Sequence, residues 1–254
     1  MPVEVTLVRA LRGPLRVYPI DSVRPFGVDA FVTDRFGGVS EAPYNELNLA
    51  SHVGDVIDRV DENRRRVAEA IGVTRDRFIT VRQVHGNDVA DASNALLDGE
   101  ADAIICSAPD LAIAILVADC VPVLLVDSGS PRMAVVHAGW RGLHGGVLDR
   151  AVARFATPHA LHAFIGPAIS AERYQVGPEV AEHFAGVPGA LIADVGDRSR
   201  LDLRRVAAHH LSTLGVSDER IVVSRQTTDG GALFFSDRAA RPTGRFALVA
   251  RRAS

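Results

Sequence analysis

Residues 111–126, LAIAILVADCVPVLLV, form the longest apolar stretch of the chain, interrupted only by Asp119, Cys120 and Pro122. The stretch is too short and too polar at its centre to span a bilayer. Ile, Leu and Val on either side of the interruption read as two buried strands with polar chemistry between them. A carboxylate in such surroundings must be paired, hydrogen-bonded or bound to something. Proline has no N–H to give a ladder, so strand pairing is expected to break or bulge at Pro122. Such a break re-aims a side chain toward a site.

The remaining pattern mixes strands and helices. Strands are expected at residues 30–33, 78–84, 103–105, 133–137, 162–165, 221–224 and 246–250, with helices at 58–71, 147–155, 178–184 and 203–214. The 58–71 segment carries Val60, Val67, Ala70 and Ile71 on one face and stops at Gly72. Neither a fixed-period repeat nor a Pro/Gly/Ser-rich linker divides the chain, so residues 1–254 are read as one domain. Strict strand–helix alternation is missing, which favours an α+β fold with mixed sheets flanked by helices over a doubly wound one.

The formal charge is −3 and the pI about 6.3, giving no basic excess that would favour nucleic acid or an anionic membrane. Two cysteines, Cys106 and Cys120, are too few for a secreted disulfide scaffold, and the start MPVEVTLVRALRG lacks the apolar core of a signal peptide. A cytoplasmic location is expected, with the oligomeric state left open.

Three residues of one chemical character stand at expected strand ends and tight turns. They are His85 in QVHGNDV, Cys120 in VADCVPV and His137 in VVHAGWRG. Thiolate and imidazole suit a borderline-soft metal such as zinc, and three protein ligands leave a coordination position open for chemistry. Trp140, the single tryptophan, offers an aromatic wall, and Arg141 beside it offers a bidentate contact to phosphate or carboxylate. The small zinc deaminases are excluded: His85 is followed by Gly-Asn rather than x-Glu, and no Cys-x-x-Cys exists. There is also no Gly-x-Ser-x-Gly elbow and no Walker loop.

In order along the chain, RFGGVS, NLASHVGD, ENRRR, QVHGNDV, ADAI, VADCVPVLLVD, VVHAGWRG, IGPAIS and FFSDR resemble the YfiH/laccase-domain family. That family is variously called multicopper polyphenol oxidoreductase, purine nucleoside phosphorylase or peptidoglycan editing factor. The resemblance covers nearly the whole chain. It implies zinc held by His85, Cys120 and His137, with copper as the alternative ion, and a single-domain α+β fold distantly like a toxin deamidase with a Cys–His pair. It also implies phosphorolysis of adenosine, inosine, guanosine and methylthioadenosine, and deamination of adenosine. Three positions depart from the family pattern: Arg173 before Tyr174-Gln175-Val176, the run Asp237-Arg238-Ala239, and Gln226.

On this reading the small-molecule partners are a nucleoside and phosphate. Arg35, Arg64 and Arg141 are candidates for phosphate or ribose contacts, Ser40 and Asn48 are neutral donors, and Gln83 is a further substrate contact. Asp119 would orient a ligand histidine or accept a proton. Three alternatives use the same residues. Cys120 with His85 or His137 could hydrolyse an amide such as a cell-wall precursor linkage. Copper at the site could oxidise phenols, although a multicopper laccase needs more paired histidines than this set supplies. The chain could also bind metal without turnover.

Overall fold

The computed structural model of the chain describes residues 1–93 and 99–253. The two apolar runs on either side of Asp119 and Cys120 are strands, and they belong to different sheets. Ala112–Val117 lies in a six-stranded sheet with the order Ala10–Arg12, Leu15–Pro19, Val28–Thr33, Phe246–Arg252, Ala112–Val117, Phe78–Ile79. Its neighbours are antiparallel except the last pair. Val121–Asp127 lies at the centre of a seven-stranded sheet with the order Val3–Val5, Ile221–Ser224, Leu161–Ile165, Val121–Asp127, Met133–Ala138, Ala103–Cys106, Val89–Asp91. That sheet is antiparallel in its middle and parallel toward both edges. The expected α+β arrangement of mixed sheets flanked by helices is what the chain adopts.

The alternation of side chains along one strand shows how the layers stack. From Val121–Asp127, Val123 and Leu125 pack with Leu148, Ala151, Val206 and Leu211 of the helices Val147–Val152 and Leu203–Thr213. Leu124 and Val126 pack the other way, with Val32, Ile113, Ile115, Phe246 and Leu248 of the six-stranded sheet. Beyond that sheet, Ala114, Leu116, Ala247 and Val249 pack on Val67, Ala68 and Ile71 of the helix Ile57–Ile71. The order is helix, sheet, sheet, helix. Strands buried on both faces need no polar alternation, which is why residues 112–117 and 121–126 are continuously apolar. Each such Leu, Val or Ile contributes about 1.5–3 kcal/mol relative to exposure.

Between Val117 and Val121 the chain must therefore leave one sheet and enter the other. Asp119 makes that crossing with φ 87°, left-handed backbone that Asp tolerates better than most residues. A second crossing, from Phe78–Ile79 to Val89–Asp91, turns at His85 with φ 59°. The expected strand over 78–84 is thus only two residues long, because the chain peels away to make this turn.

Pro122 does not break the ladder. Met133–Ala138 pairs continuously with Val121–Asp127, His137 opposite Pro122 and Ala138 opposite Val121. The Pro122 carbonyl accepts from Gly166 N–H at 2.8 Å, so its nitrogen faces the same side, just past the end of Leu161–Ile165, where no donor is needed. The interruption lies earlier, at the sheet-to-sheet crossing. The hairpin Ala10–Arg12/Leu15–Pro19 and a small third sheet of Gln175–Val176, Ser199–Leu201 and Leu191–Ala193 were not expected from the sequence. The helix expected over 147–155 ends at Val152.

Candidate active site

The two crossings meet at one end of the strand Met133–Ala138. They bring His85 and Cys120 beside His137, with one ligand atom from each all within 4.8 Å of one another. The imidazole rings lie 4.8 Å apart, edge to face at 72°. His137 is buried, Cys120 half-buried and His85 exposed on its turn. Donor separations in a tetrahedral site are about 3.5 Å, from metal–ligand distances of about 2.0–2.3 Å. The set therefore needs closing by little more than about an ångström.

The group that organises this cluster is Asp102, fully buried just before the strand Ala103–Cys106. Its Oδ1 accepts from His137 Nδ1 at 2.7 Å and from His85 N–H at 3.0 Å, and its Oδ2 accepts from Gly86 N–H at 2.6 Å and Val84 N–H at 3.2 Å. The Asp102 carbonyl takes His137 N–H at 2.7 Å. One residue thus fixes the His85 turn and the His137 ring together. With Nδ1 committed to the carboxylate, His137 presents Nε2 to Cys120, the arrangement that carboxylates give metal-binding histidines.

The electrostatics follow from that geometry. Burial alone would raise the Cys120 thiol, but the two imidazoles outweigh it and bring its pKa down to about 6. Burial alone would lower His137, but Cys120 and Asp102 outweigh it and lift its pKa to about 9. Burial opposes the Asp102 charge, and His137 with the backbone N–H donors holds its pKa below the ordinary value. These shifts favour a thiolate at Cys120 beside a protonated His137, itself backed by the Asp102 carboxylate. Cys106, by contrast, is buried and donates to the Ala108 carbonyl at 3.6 Å, its thiol pushed up by desolvation, and both cysteines are free.

Gly139 shows how tightly the cluster is enclosed. A Cβ there would lie 2.9 Å from Cys120 Sγ and 3.1 Å from a His85 ring carbon. The glycine follows His137-Ala138, so this approach is set by the end of the strand itself.

Above the cluster lies a cleft of about 410 Å³. Trp140 and Tyr174 are its aromatic walls, and Arg141, Arg238, Arg241 and Arg245 line it together with His52 and Asp237. Burial and the neighbouring Arg245 and Arg64 push the His52 imidazole down. Gln83 also lines the cleft, but its amide is clamped on the backbone of Leu116, Nε2 donating to the carbonyl at 2.7 Å and Oε1 accepting from N–H at 2.8 Å.

Several expected contacts are structural instead. Asp119 does not orient a histidine: its carboxylate accepts from the Thr228 hydroxyl and, at 2.7 Å, from Arg238 N–H. Ser40 and Asn48 are buried and joined to Asp55 and Asn63, with Asn48 Oδ1 also accepting Arg245 N–H at 2.9 Å. Arg35 donates to the carbonyls of Asn45 and Gly231 and stacks on Phe235. Arg64 donates to the Leu49 carbonyl at 2.8 Å. Ser40, Asn48, Arg35 and Arg64 are not among the residues lining the cleft, whereas Asp119 is. The sequence reading missed Asp102, Tyr174, Arg238, Arg241 and Arg245. For Asp102 the signal was present, since it is a carboxylate at the head of an apolar strand, just as Asp119 is one between two.

Residues 29–253 match the family model for the multi-copper polyphenol oxidoreductase laccase domain. The chain belongs to that family. It is 39% identical over 228 residues, 88% of this chain and 93% of the relative, to a Shigella flexneri protein named purine nucleoside phosphorylase YfiH. It is 40% identical over 225 residues, 85% of this chain and 91% of the relative, to the Streptomyces coelicolor purine nucleoside phosphorylase SCO2081. The crystal structure of the hypothetical protein YfiH from Bacillus licheniformis superposes with a TM-score of 0.88 at 29% identity, covering 96% of this chain and 98% of that one. Among the described residues no helix is long and apolar enough to cross a membrane.

Proposed function

We propose that the chain, acting as a single catalytic unit, is a zinc-dependent purine nucleoside enzyme that cleaves the base from the sugar with phosphate and also deaminates adenosine. The observation that carries this reading is the His85–Cys120–His137 group, which opens directly into a cleft with two aromatic walls and an arginine rim. The names of the relatives supply the substrate class.

The donor set suits zinc. Two imidazoles and one thiolate make a borderline-soft trio, the Asp102 carboxylate holds one imidazole in a ligating tautomer, and the thiol is already acidic. Among the described residues this is one group of three, which favours a single ion over the several copper centres of a laccase. When bound in such an open site, zinc supplies Lewis-acid polarisation and makes water a better nucleophile near neutral pH. The chain's own residues do the rest. Trp140 and Tyr174 give a purine an aromatic-walled cleft to lie in. The arginines hold the anion and screen its charge as it approaches the sugar. In phosphorolysis a phosphate oxygen bonds to the anomeric carbon as the glycosidic C–N bond breaks, and the purine leaves with the electron pair and takes up a proton. The Tyr174 phenol, kept protonated by burial with its pKa raised to about 12, lines the cleft and would donate a hydrogen bond to the departing base.

A second reading is favoured by one specific observation. Cys120, His137 and Asp102 also form a nucleophile–base–carboxylate series able to attack an amide without metal. Product analysis separates the two. Incubated with inosine and phosphate, the enzyme is expected to release hypoxanthine and ribose 1-phosphate in equal amounts, and no base without phosphate. Failure to turn over inosine, guanosine, adenosine or methylthioadenosine would overturn the nucleoside reading.

A further inference from the structure

Four arginines line the cleft, and their partners divide them into two kinds. Arg241 is bound to Asp237, with Nη2 at 2.5 Å and Nε at 2.7 Å from the carboxylate. Arg245 is bound to the same carboxylate at 3.2 Å and donates to the carbonyls of Thr243 and Gly244 at 3.1 and 3.0 Å. These two are largely committed. Arg141 and Arg238 have no carboxylate partner among the described residues. Arg141 stacks over Trp140 with its guanidinium carbon 4.3 Å from the ring centroid, and Arg238 stacks over Tyr174 at 5.2 Å. Among the described residues, the only hydrogen bonds of the Arg238 guanidinium are long ones to the Gln175 carbonyl, at 3.4 and 3.5 Å.

A guanidinium stacked on an aromatic face is held in orientation while its N–H edge stays open, which suits bidentate recognition of a phosphoryl group. Trp140 is itself braced by His183, ring to ring at 6.2 Å and 13°, and His183 stacks on His144 at 3.8 Å. Both arginines are tied to the Cys120 region by the backbone. Arg238 N–H is pinned by Asp119, the residue before Cys120, and Arg141 lies two residues after Gly139, where an added Cβ would meet Cys120 Sγ at 2.9 Å. The Asp119 carboxylate is itself satisfied by Thr228 and Arg238 N–H, so it does not cancel either guanidinium by a direct ion pair.

We propose that Arg141 and Arg238 form a two-guanidinium seat for a tetrahedral phosphoryl oxyanion beside the His–Cys–His group, while Asp237 reserves Arg241 and Arg245 for holding the rim together. The proposal deepens the function proposed above and rests on it for the role of the anion. The oxyanion is either free phosphate or the phosphate ester of a nucleotide, and both present the same oxygens to the seat.

The test is calorimetric titration of the zinc-loaded protein with inorganic phosphate and, separately, with inosine 5′-monophosphate. Wild type is compared with Arg141→Gln, Arg238→Gln and Arg241→Gln, with zinc content and thermal midpoint confirming that each variant is folded. Arg141→Gln and Arg238→Gln are each expected to weaken binding by about tenfold or more, the loss of a charge-assisted hydrogen-bond pair, and Arg241→Gln by about threefold or less. Phosphate binding with this dependence identifies free phosphate as the ligand. Binding of the monophosphate alone, with the same dependence, keeps the seat and assigns it to an ester. The seat is overturned if wild type binds neither, if both variants bind as wild type does, or if Arg241→Gln has the larger effect. Phosphorolysis kinetics keep the two claims apart. Phosphate bound through Arg141 and Arg238 without inosine turnover leaves the seat standing and the nucleoside reading refuted. Turnover with an unchanged phosphate KM in both variants does the reverse.

Discussion

Asp102 and Asp34 are the same residue in the same degree of burial, fully enclosed next to the end of a strand, and they behave in opposite ways. Asp102 accepts from three backbone N–H groups and the His137 imidazole, and its charge is favoured. Asp34 accepts from Phe36 N–H at 2.9 Å and faces Arg16 Nε at 3.1 Å, and that guanidinium also stacks on Phe36 at 3.8 Å. There burial outweighs both partners, and the pKa rises from 3.8 to about 6. Burial alone therefore does not mark a working carboxylate. The number and convergence of donors do, and at Asp102 they serve two histidines of the candidate site.

The largest expected effect comes from the isosteric change Asp102→Asn. Every neighbour of that carboxylate is a donor, so an amide NH₂ in place of one oxygen would leave buried N–H groups facing N–H groups. Each unsatisfied donor costs about 1–3 kcal/mol, so chemical denaturation should show a loss of about 2–5 kcal/mol. Zinc affinity, measured by competition with a chromogenic chelator, should fall about 10–100-fold. A variant with wild-type zinc affinity would show that Asp102 is merely structural.

Asp34→Asn tests the other side. A raised pKa means the folded chain holds the proton more tightly than the unfolded one. The stability this contributes is complete below about pH 4 and is lost as pH rises through about 6, a change of about 3 kcal/mol. Wild type should show this downward component between pH 4 and 6, and Asp34→Asn should lack it. Asp102, with its lowered pKa, contributes in the opposite sense, its share being lost only as pH falls below the ordinary carboxylate range. An unchanged slope in Asp34→Asn would remove the contrast.

The smallest effect is expected at Asp119→Asn. This carboxylate has one backbone N–H and one hydroxyl as partners, and a hydroxyl can turn to accept where it had donated. Asparagine also tolerates the left-handed backbone at this position. A loss of about 1 kcal/mol or less is expected, with zinc content unchanged. A fall in zinc affinity as large as that of Asp102→Asn would restore Asp119 to the orienting role first expected of it.

Legibility in the sequence followed the same division between local and convergent signals. The buried strands at 103–106, 112–117, 121–127 and 133–138 were readable because strands covered on both faces are apolar throughout. The helix Ile57–Ile71 was readable from its apolar face and its Gly72 stop. His85, Cys120 and His137 were readable as ligand types near turns. That they meet depends on two chain crossings between sheets, and no local pattern encodes which strand joins which sheet. Pro122 looked like a break because its missing N–H was counted without knowing which side of the strand it faced. The short strands at 10–12, 175–176 and 191–193 carry too few residues for a period to register. Arg238, Arg241 and Arg245 were three arginines among many until the fold placed them on one rim.

The central claim is that His85, Cys120 and His137 hold one zinc ion on which nucleoside turnover depends. Metal content and inosine phosphorolysis measured together, on wild type and Cys120→Ala, with and without chelator, test it most directly. The expected result is one zinc per chain and chelator-sensitive turnover in wild type, with both lost in Cys120→Ala. Turnover that survives chelation and persists in Cys120→Ala would contradict it.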